Sequence, residues 1–308
     1  MPLLHIRHLT TYSYRKPVSF GEHRLLLRPK ESYDQRVLAS RLVITPEPVE
    51  LRYVHDVFGN CVGVARFDKR SDRLSFESEL ELEHAPAPLV SDADEAIAPT
   101  GPTFPFAYGA EDMPDLLRSI ERHHPDPNGV VGAWARRFLR WNGATPVLSL
   151  LAEMTRAIHA DFTYAKRLEG AARSPAETLE LKSGTCRDYA VLMMEAARSL
   201  GLAARFVTGY IYSPARDGEG PARVGGGHTH AWVQVYLPSC GWVEFDPTNG
   251  IIGNRDLVRV AVVRDPRQAV PLSGVWDGDL GDFIDMTVEV ELRALSARTP
   301  PIDETLAA

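Results

Sequence analysis

The stretch Ser183–Tyr210, SGTCRDYAVLMMEAARSLGLAARFVTGY, runs from a Gly-Thr turn into a helical pattern and out into a strand. Tyr189, Leu192, Met193, Ala196 and Leu200 recur at the spacing that lines one face of a helix, and Gly201 supplies its stop. The apolar run ARFVTGYIY that follows reads as a strand. Cys186 therefore stands at the head of a helix. There, free amides and the helix dipole favour the thiolate over the thiol, whose ordinary pKa is about 8.5. A thiolate is a strong nucleophile, but it needs a base to shuttle its proton. Most free cysteines are small core residues instead, and this stretch taken alone favours that reading.

Two later segments change the balance. In His228–Pro238, HTHAWVQVYLP, His230 opens a strand with Trp232, Gln234 and Tyr236 on its own face. In Gly241–Gly250, GWVEFDPTNG, Asp246 closes a second strand before Pro247 stops it. A hairpin between the two would return Asp246 to the side of His230. Nucleophile, base and a carboxylate that orients the base are the three roles of a thiol acyl-transfer site. Cys186, His230 and Asp246 offer them in chain order.

Strand parity adds a geometric condition. Directly paired residues of an antiparallel sheet share a face, so two even-numbered residues meet only where paired numbers add to an even value. A regular four-residue loop, Pro238–Gly241, would pair Leu237 with Trp242 and send the carboxylate to the wrong face. The hairpin is therefore expected to carry a loop of odd length, or a β-bulge before Asp246.

Other residues near these motifs take lesser roles. Asp188 suits the positive end of the helix, and Asn249 the turn after Asp246. The segment Ser213–His228, rich in glycine and proline, leads straight to His230 and is expected to form a mobile lid beside the cleft. The competing chemistry is zinc, for which His228, His230, Asp246 and Cys186 offer suitable donors. Their spacing matches no usual ligand pattern, so no metal or other cofactor is expected.

The rest of the chain sets the frame. Its 308 residues suffice for one large or two modest domains, and 44% hydrophobic with 24% charged residues is ordinary for a globular protein. A net charge of −7 without a basic block argues against nucleic-acid binding. No apolar run approaches the roughly 20 residues of a membrane helix, and MPLLHIRHLTTYSYRK has no apolar signal core. The cysteines Cys61, Cys186 and Cys240 form no CxxC pair and suit a reducing compartment, so a cytoplasmic location is expected.

Residues 1–84 read as β-rich: Leu74, Phe76, Leu80 and Leu82 alternate with polar residues, and Gly59-Asn60 marks a hairpin turn. Residues 85–112 are Pro- and Ala-rich and read as a linker or wrapping segment without regular structure. Helical patterns then precede strands from residue 113 to 293, and Ser174 with Pro175 and Glu177 reads as a capping box. Residues 294–308 read as a disordered tail. The fold class is α+β: a β-rich N-terminal domain followed by helices packed on an antiparallel sheet.

GTCRDYAVLMMEAARSLGLAARFVTGY, HTHAWVQVYLP and GWVEFDPTNG together resemble the three core motifs of the bacterial transglutaminase-like superfamily. The segment from LHIRHLTTYSY to LELEH resembles the amino-terminal domain that precedes such cores. The resemblance covers roughly residues 1 to 293 and implies a papain-like core. It also implies Cys186 as nucleophile, His230 as base and Asp246 as its orienter. The histidine directly before Ala-Trp is the base in that pattern, which leaves His228 to the loop. Tyr164 in DFTY matches an upstream aromatic, and either supports the oxyanion beside the Cys186 amide or packs in the core.

The implied activity is thiol-dependent acyl transfer on a peptide or glutamine-type amide, by hydrolysis or transamidation, with a peptide or protein as substrate. No calcium-loop pattern is present. A non-catalytic peptide-binding or assembly module of the same fold is the alternative, and rapid alkylation of an activated Cys186 near neutral pH separates the two.

Overall fold

β1 (Leu3–Leu25) is a 23-residue strand on which buried and half-exposed residues alternate, as one-sided burial of a strand dictates. The computed structural model describes residues 3–86, 101–167, 170–218, 220–238 and 240–295. Four more strands complete the opening β-rich part: β2 (Gln35–Thr45), β3 (Glu50–His55), β4 (Cys61–Arg66) and β5 (Ser71–His84). They run in the order β2-β5-β1-β4-β3. Leu74, Phe76, Leu80 and Leu82 are buried on one face of β5, as their alternation required. The β3–β4 hairpin turns at Gly59, whose φ of 70° suits a residue without Cβ.

Two short pieces, β6 (Thr103–Phe104) and β7 (Thr145–Pro146), pair around the first helices, α1 (Met113–Ile120) and α2 (Val130–Arg136). Residues 87–100 of the expected linker lie outside the described residues. From residue 101 onward the segment wraps the core rather than linking two parts freely. Phe104 and Phe106 pack on the helical core, and the Tyr108 hydroxyl donates to the Tyr236 carbonyl at 3.0 Å. Aromatic side chains spaced among prolines dock here although the backbone stays irregular. The expected tail lies outside the described residues from 296 on.

Then come α3 (Val147–Asp161), β8 (Thr163–Tyr164), α4 (Pro175–Leu181), β9 (Ser183–Gly184) and α5 (Cys186–Ser199). Ser174 caps α4 by accepting from the Glu177 amide at 3.2 Å. α5 was expected to bury one face, but it buries both. Val191, Leu192, Met193, Met194, Ala196 and Ala197 are all fully covered. Each fully buried aliphatic side chain contributes about 1.5–3 kcal/mol, so packing rather than helix propensity fixes α5.

The last part begins with a five-stranded sheet: β10 (Ala204–Ile211), β11 (His230–Leu237), β12 (Gly241–Asp246), β13 (Ile251–Ile252) and β14 (Leu257–Val263), in the order β13-β12-β11-β10-β14. Phe206, Val233, Val235, Val243 and Phe245 face α3 and α5 across one core. At the far end of α5 a buried ion pair sets its register. Arg198 donates to Glu195 at 2.8 Å, to the Ala204 carbonyl at 2.9 Å and to the Arg264 carbonyl at 2.9 Å. These bonds satisfy a charge that would otherwise be costly to bury.

The final strands, β15 (Leu272–Asp277) and β16 (Phe283–Leu295), pair with β1 rather than with the five-stranded sheet. The expected division, with a core running to residue 293, is corrected accordingly: residues 272–295 belong to the N-terminal sheet. The two sheets share an apolar core in which Leu4, Ile6 and Leu82 meet Tyr210, Val258 and Val260. Asn60, from the predicted turn, grips β14 through its amide, donating to the Val262 carbonyl at 2.8 Å and accepting from the Val262 N–H at 2.9 Å. The edge of β14 is thereby covered, as an edge strand requires.

Candidate active site

Cys186 is the first residue of α5, and its neighbours build the turn that holds it. Thr185 caps the helix, and Asp188 closes a capping box by accepting from the Thr185 amide at 2.8 Å and its hydroxyl at 3.1 Å. The second carboxylate oxygen of Asp188 accepts from Arg167 at 2.9 Å and from the Arg173 amide at 2.7 Å. Burial would raise the Asp188 pKa, but these bonds outweigh it and hold the carboxyl below its ordinary range. Asp188 is thus the helix-end residue the sequence suggested. Gly184 is required behind it, because a Cβ there would stand 2.8 Å from the Asp188 Cβ.

The β11–β12 hairpin satisfies the parity condition. Leu237 pairs with Gly241 and Val233 with Phe245, so paired numbers add to an even value, around a three-residue loop, Pro238 to Cys240. His230 and Asp246 consequently share a face at the open end of the hairpin. His230 Nε2 donates to Asp246 Oδ2 at 2.8 Å, and both side chains are fully buried. Asp246 also accepts from the Thr248 amide at 2.9 Å and from Asn249 Nδ2 at 2.8 Å.

Burial works against a charged His230. The Asp246 carboxylate and its hydrogen bond, with Cys186 on the other side of the ring, outweigh that cost and push the pKa up to about 10. The same partnership holds Asp246 low despite its burial. Nδ1 of His230 is buried without a hydrogen-bond partner, and the Cys186 thiol is the other side chain, besides Asp246, that acts on the ring. The ring is backed by Trp232, with centroids 5.9 Å apart and planes at 27°. Gly209, opposite His230 on β10, makes room for that indole. A Cβ there would meet Trp232 at 2.8 Å and the Val258 carbonyl oxygen at 2.0 Å.

Tyr164 reaches the same place through backbone pairing: β8 runs parallel to β9, with Tyr164 beside Gly184. Its half-exposed ring packs edge-on to Tyr189, and the Cys186 thiol is among the groups that act on its hydroxyl. Burial, then the neighbouring thiol, push its pKa up to about 12, so it stays a donor at all ordinary pH values. Cys186, His230, Asp246 and Tyr164 are thus brought together. His228 is not: its Nε2 accepts from Lys166 Nζ at 2.9 Å out on the loop. Among the described residues no group of three or more His, Cys, Asp or Glu side chains is arranged to hold a metal ion.

Residues 133–247 match the family model described as the transglutaminase-like superfamily, and residues 4–83 match the bacterial transglutaminase-like N-terminal region. The chain belongs to the transglutaminase-like superfamily. An uncharacterised protein of Mycobacterium tuberculosis is 28% identical over 298 residues, covering 92% of this chain and 91% of that protein. A protein-glutamine gamma-glutamyltransferase of Pseudomonas aeruginosa is 30% identical over 119 residues, covering 38% of this chain and 18% of that protein. A crystal structure of a proposed cysteine protease from Cytophaga hutchinsonii superposes with a TM-score of 0.66 at 17% identity. It covers 96% of this chain and 92% of that one, and so shares the fold.

In this transglutaminase-like core the loop Ser213–His228 lies against the site, where the sequence put it. Gly225, at a φ of 95°, sits so close to His230 that a Cβ would fall 2.7 Å from Nδ1. Asn249 does more than shape a turn. Its Oδ1 accepts from the Val224 amide at 2.8 Å, and its Nδ2 donates to the Val224 carbonyl at 3.1 Å as well as to Asp246. One amide thus clamps the loop and the carboxylate together. Lys166, next but one after Tyr164, holds the loop from the opposite side through His228. With the loop seated, Cys186 is only 8% exposed and His230 only 1%. Sequence reasoning missed the double role of Asn249 and the role of Lys166. The sole signal for either was an asparagine three residues after the aspartate.

Proposed function

We propose that this chain catalyses thiol-dependent acyl transfer from a peptide or glutamine-type amide, with water as the usual acceptor. The observation that supports it most is the chain of contacts Asp246–His230–Cys186. One imidazole nitrogen is fixed on a buried carboxylate at 2.8 Å, and the other is left for a thiol at a helix head. The glutamine-directed name of the Pseudomonas relative supports an amide carbonyl as the target.

Cys186 Sγ, its proton passed to His230 Nδ1, attacks the carbonyl carbon and forms the C–S bond. The oxyanion is met by the Cys186 amide, one of the unpaired first-turn N–H groups of α5, and by the Tyr164 hydroxyl. As the tetrahedral intermediate collapses, the C–N bond breaks and His230 gives its Nδ1 proton to the departing amine or ammonia. A thioester remains on Cys186. Water then attacks, His230 takes its proton, the C–S bond breaks and the carboxylic acid leaves. Asp246 holds the ring and the charge that appears on it without itself changing protonation. The three free cysteines support a cytosolic setting.

The decisive experiment is incubation of the purified chain with a peptide library, read by intact mass. A transient acyl adduct on Cys186 and hydrolysed products are expected, with little diversion to an added primary amine. Dominant transfer to the amine would reassign the acceptor, and no adduct with any peptide would favour the non-catalytic module. Activity is expected to survive chelators and to vanish on treatment with iodoacetamide. Loss on chelation, restored by zinc, would return the weight to metal chemistry.

The seated loop must swing aside for a substrate to reach Cys186, and Lys166 is the simplest latch to remove. Lys166→Met takes away one exposed hydrogen bond, worth up to about 1 kcal/mol, and leaves the catalytic groups intact. Cys186 in this variant is expected to react with iodoacetamide up to about fivefold faster. An unchanged alkylation rate would show that the Lys166–His228 contact does not hold the loop.

A further inference from the structure

The face of the five-stranded sheet turned away from α5 carries charges that the proposed reaction does not use. Arg205 pairs with Gln234 across β10–β11, and Gln234 with Glu244 across β11–β12. Arg264 follows directly on β14, whose last residue, Val263, pairs with Phe206 beside Arg205. Two guanidiniums brought to one end of a sheet repel each other.

The neighbouring carboxylate, Glu244, offsets the charge of Arg205 only in part, because it is bonded elsewhere. Glu244 Oε1 accepts from Arg259 at 2.6 Å and from Gln234 at 2.8 Å, and the other end of Gln234 accepts from Arg205 Nε at 2.8 Å. Among the described residues that is the only hydrogen bond of the Arg205 side chain, and it makes no ion pair. Its guanidinium lies over Trp242, 3.9 Å from the ring centroid. Burial, then Arg259, push its pKa down to about 10, the direction expected of a cation short of counter-charge. Arg264 also makes no ion pair among the described residues, and its Nε is buried without a partner.

Both arginines line one cavity of about 670 Å³. Tyr236, Trp242, Phe58 and Leu116 supply apolar wall, and Asp112 and Asp115 of the α1 region line it too, neither within ion-pair distance of Arg205 or Arg264 among the described residues. The volume falls within the range of about 300–1,000 Å³ typical of small-molecule sites. Unpaired guanidiniums beside an apolar wall are the chemistry that recognises an oxyanion on an apolar body. The two aspartates disfavour a dianion, which selects a carboxylate over a phosphate.

We propose that this cavity is a binding site for a small organic carboxylate, its carboxylate held by Arg205 and Arg264 and its flat apolar body lying against Tyr236, Phe58 and Leu116. The site is independent of Cys186 and does not rest on the catalytic reading.

The test is isothermal titration of the full chain with phenylacetate, benzyl phosphate and inorganic phosphate. Wild type, Arg205→Gln, Arg264→Gln and wild type alkylated at Cys186 are compared, with thermal unfolding as a second readout. Phenylacetate is expected to bind one to one and raise the melting temperature. Benzyl phosphate should bind more weakly, and either glutamine variant should lose about tenfold or more in affinity. Without ligand, Arg264→Gln should be at least as stable as wild type, because it removes a charge without an ion-pair partner. Alkylation of Cys186 should leave binding unchanged. Three results would each overturn the proposal: no saturable binding at millimolar concentrations, affinity unmoved by both substitutions, or inorganic phosphate binding as well as phenylacetate, which marks an adventitious ion only.

Discussion

Cys186→Ala is expected to reduce turnover of peptide and glutamine-type amides by about 10⁵-fold or more, to the background that binding alone sustains. Stability should stay within about 1 kcal/mol of wild type. The two halves of this expectation rest on different facts. The Cys186 thiol acts on both the His230 ring and the Tyr164 hydroxyl, and the other two cysteines lie elsewhere, so no second thiol can take over the attack. The fold does not depend on it, because Thr185 and Asp188 cap α5 without using the cysteine side chain. Alanine is also the best helix former. Cys240 sits in the hairpin loop at the opposite end of β11 from His230, and Cys61 lies in the N-terminal sheet. Cys61→Ala and Cys240→Ala should therefore keep full activity. The measurement is kcat/KM beside a denaturant melt, and a Cys186→Ala protein that still turned over substrate would end the thiol mechanism.

The site was more legible in the sequence than the way the chain is assembled, and the reason is physical. A helix head, a strand start and a strand end are local features, each marked by its own residues, and strand parity converts the last two into a statement about distance. It required an even register, and the three-residue loop Pro238–Cys240 supplies it. Strand partners carry no such mark. The alternation in Phe283–Leu295 announces a strand, but only the 23-residue length of β1, with two edges to offer, explains why that strand returns to the first sheet. Periodicity likewise showed one apolar face of α5 and could not show that alanines on the other face were covered as well. Gly225 and Asn249 were hidden for a different reason. Turn chemistry accounts for a glycine or an asparagine in a loop, so their second roles, against His230 and between Asp246 and Val224, leave no further trace in the sequence.

Asp246→Ala is expected to lower kcat/KM by about 10³–10⁴-fold and, unlike the cysteine variant, to cost about 3–5 kcal/mol of stability. It leaves a buried imidazole without its partner and strands the Thr248 amide. Asn249 Nδ2 keeps only its bond to the Val224 carbonyl. Asp246→Asn should not rescue it. Three donors converge on the two carboxylate oxygens, from His230, Asn249 and the Thr248 amide, so an asparagine NH₂ in either orientation would face a donor. The pH dependence separates this account from simple loss of packing. In the folded chain His230 keeps its proton up to about pH 10, whereas an unfolded histidine loses it near 6.5. The histidine's share of the stabilisation is thus fully present below about pH 6.5 and is lost as pH rises through 10. Asp246 is shifted the other way, so its share is present above about pH 3.9 and is lost as pH falls through the lowered folded value. The stability difference between wild type and Asp246→Ala should accordingly be largest between about pH 4 and 6.5 and smaller at pH 9. The alkaline limb of kcat/KM, near pH 10 in the wild type, should move down to the ordinary histidine range or below it. Denaturant melts across pH and a pH–rate profile measure the two effects. An alkaline limb that stayed in place, with a stability loss independent of pH, would mean that Asp246 fills space beside His230 rather than holding its charge.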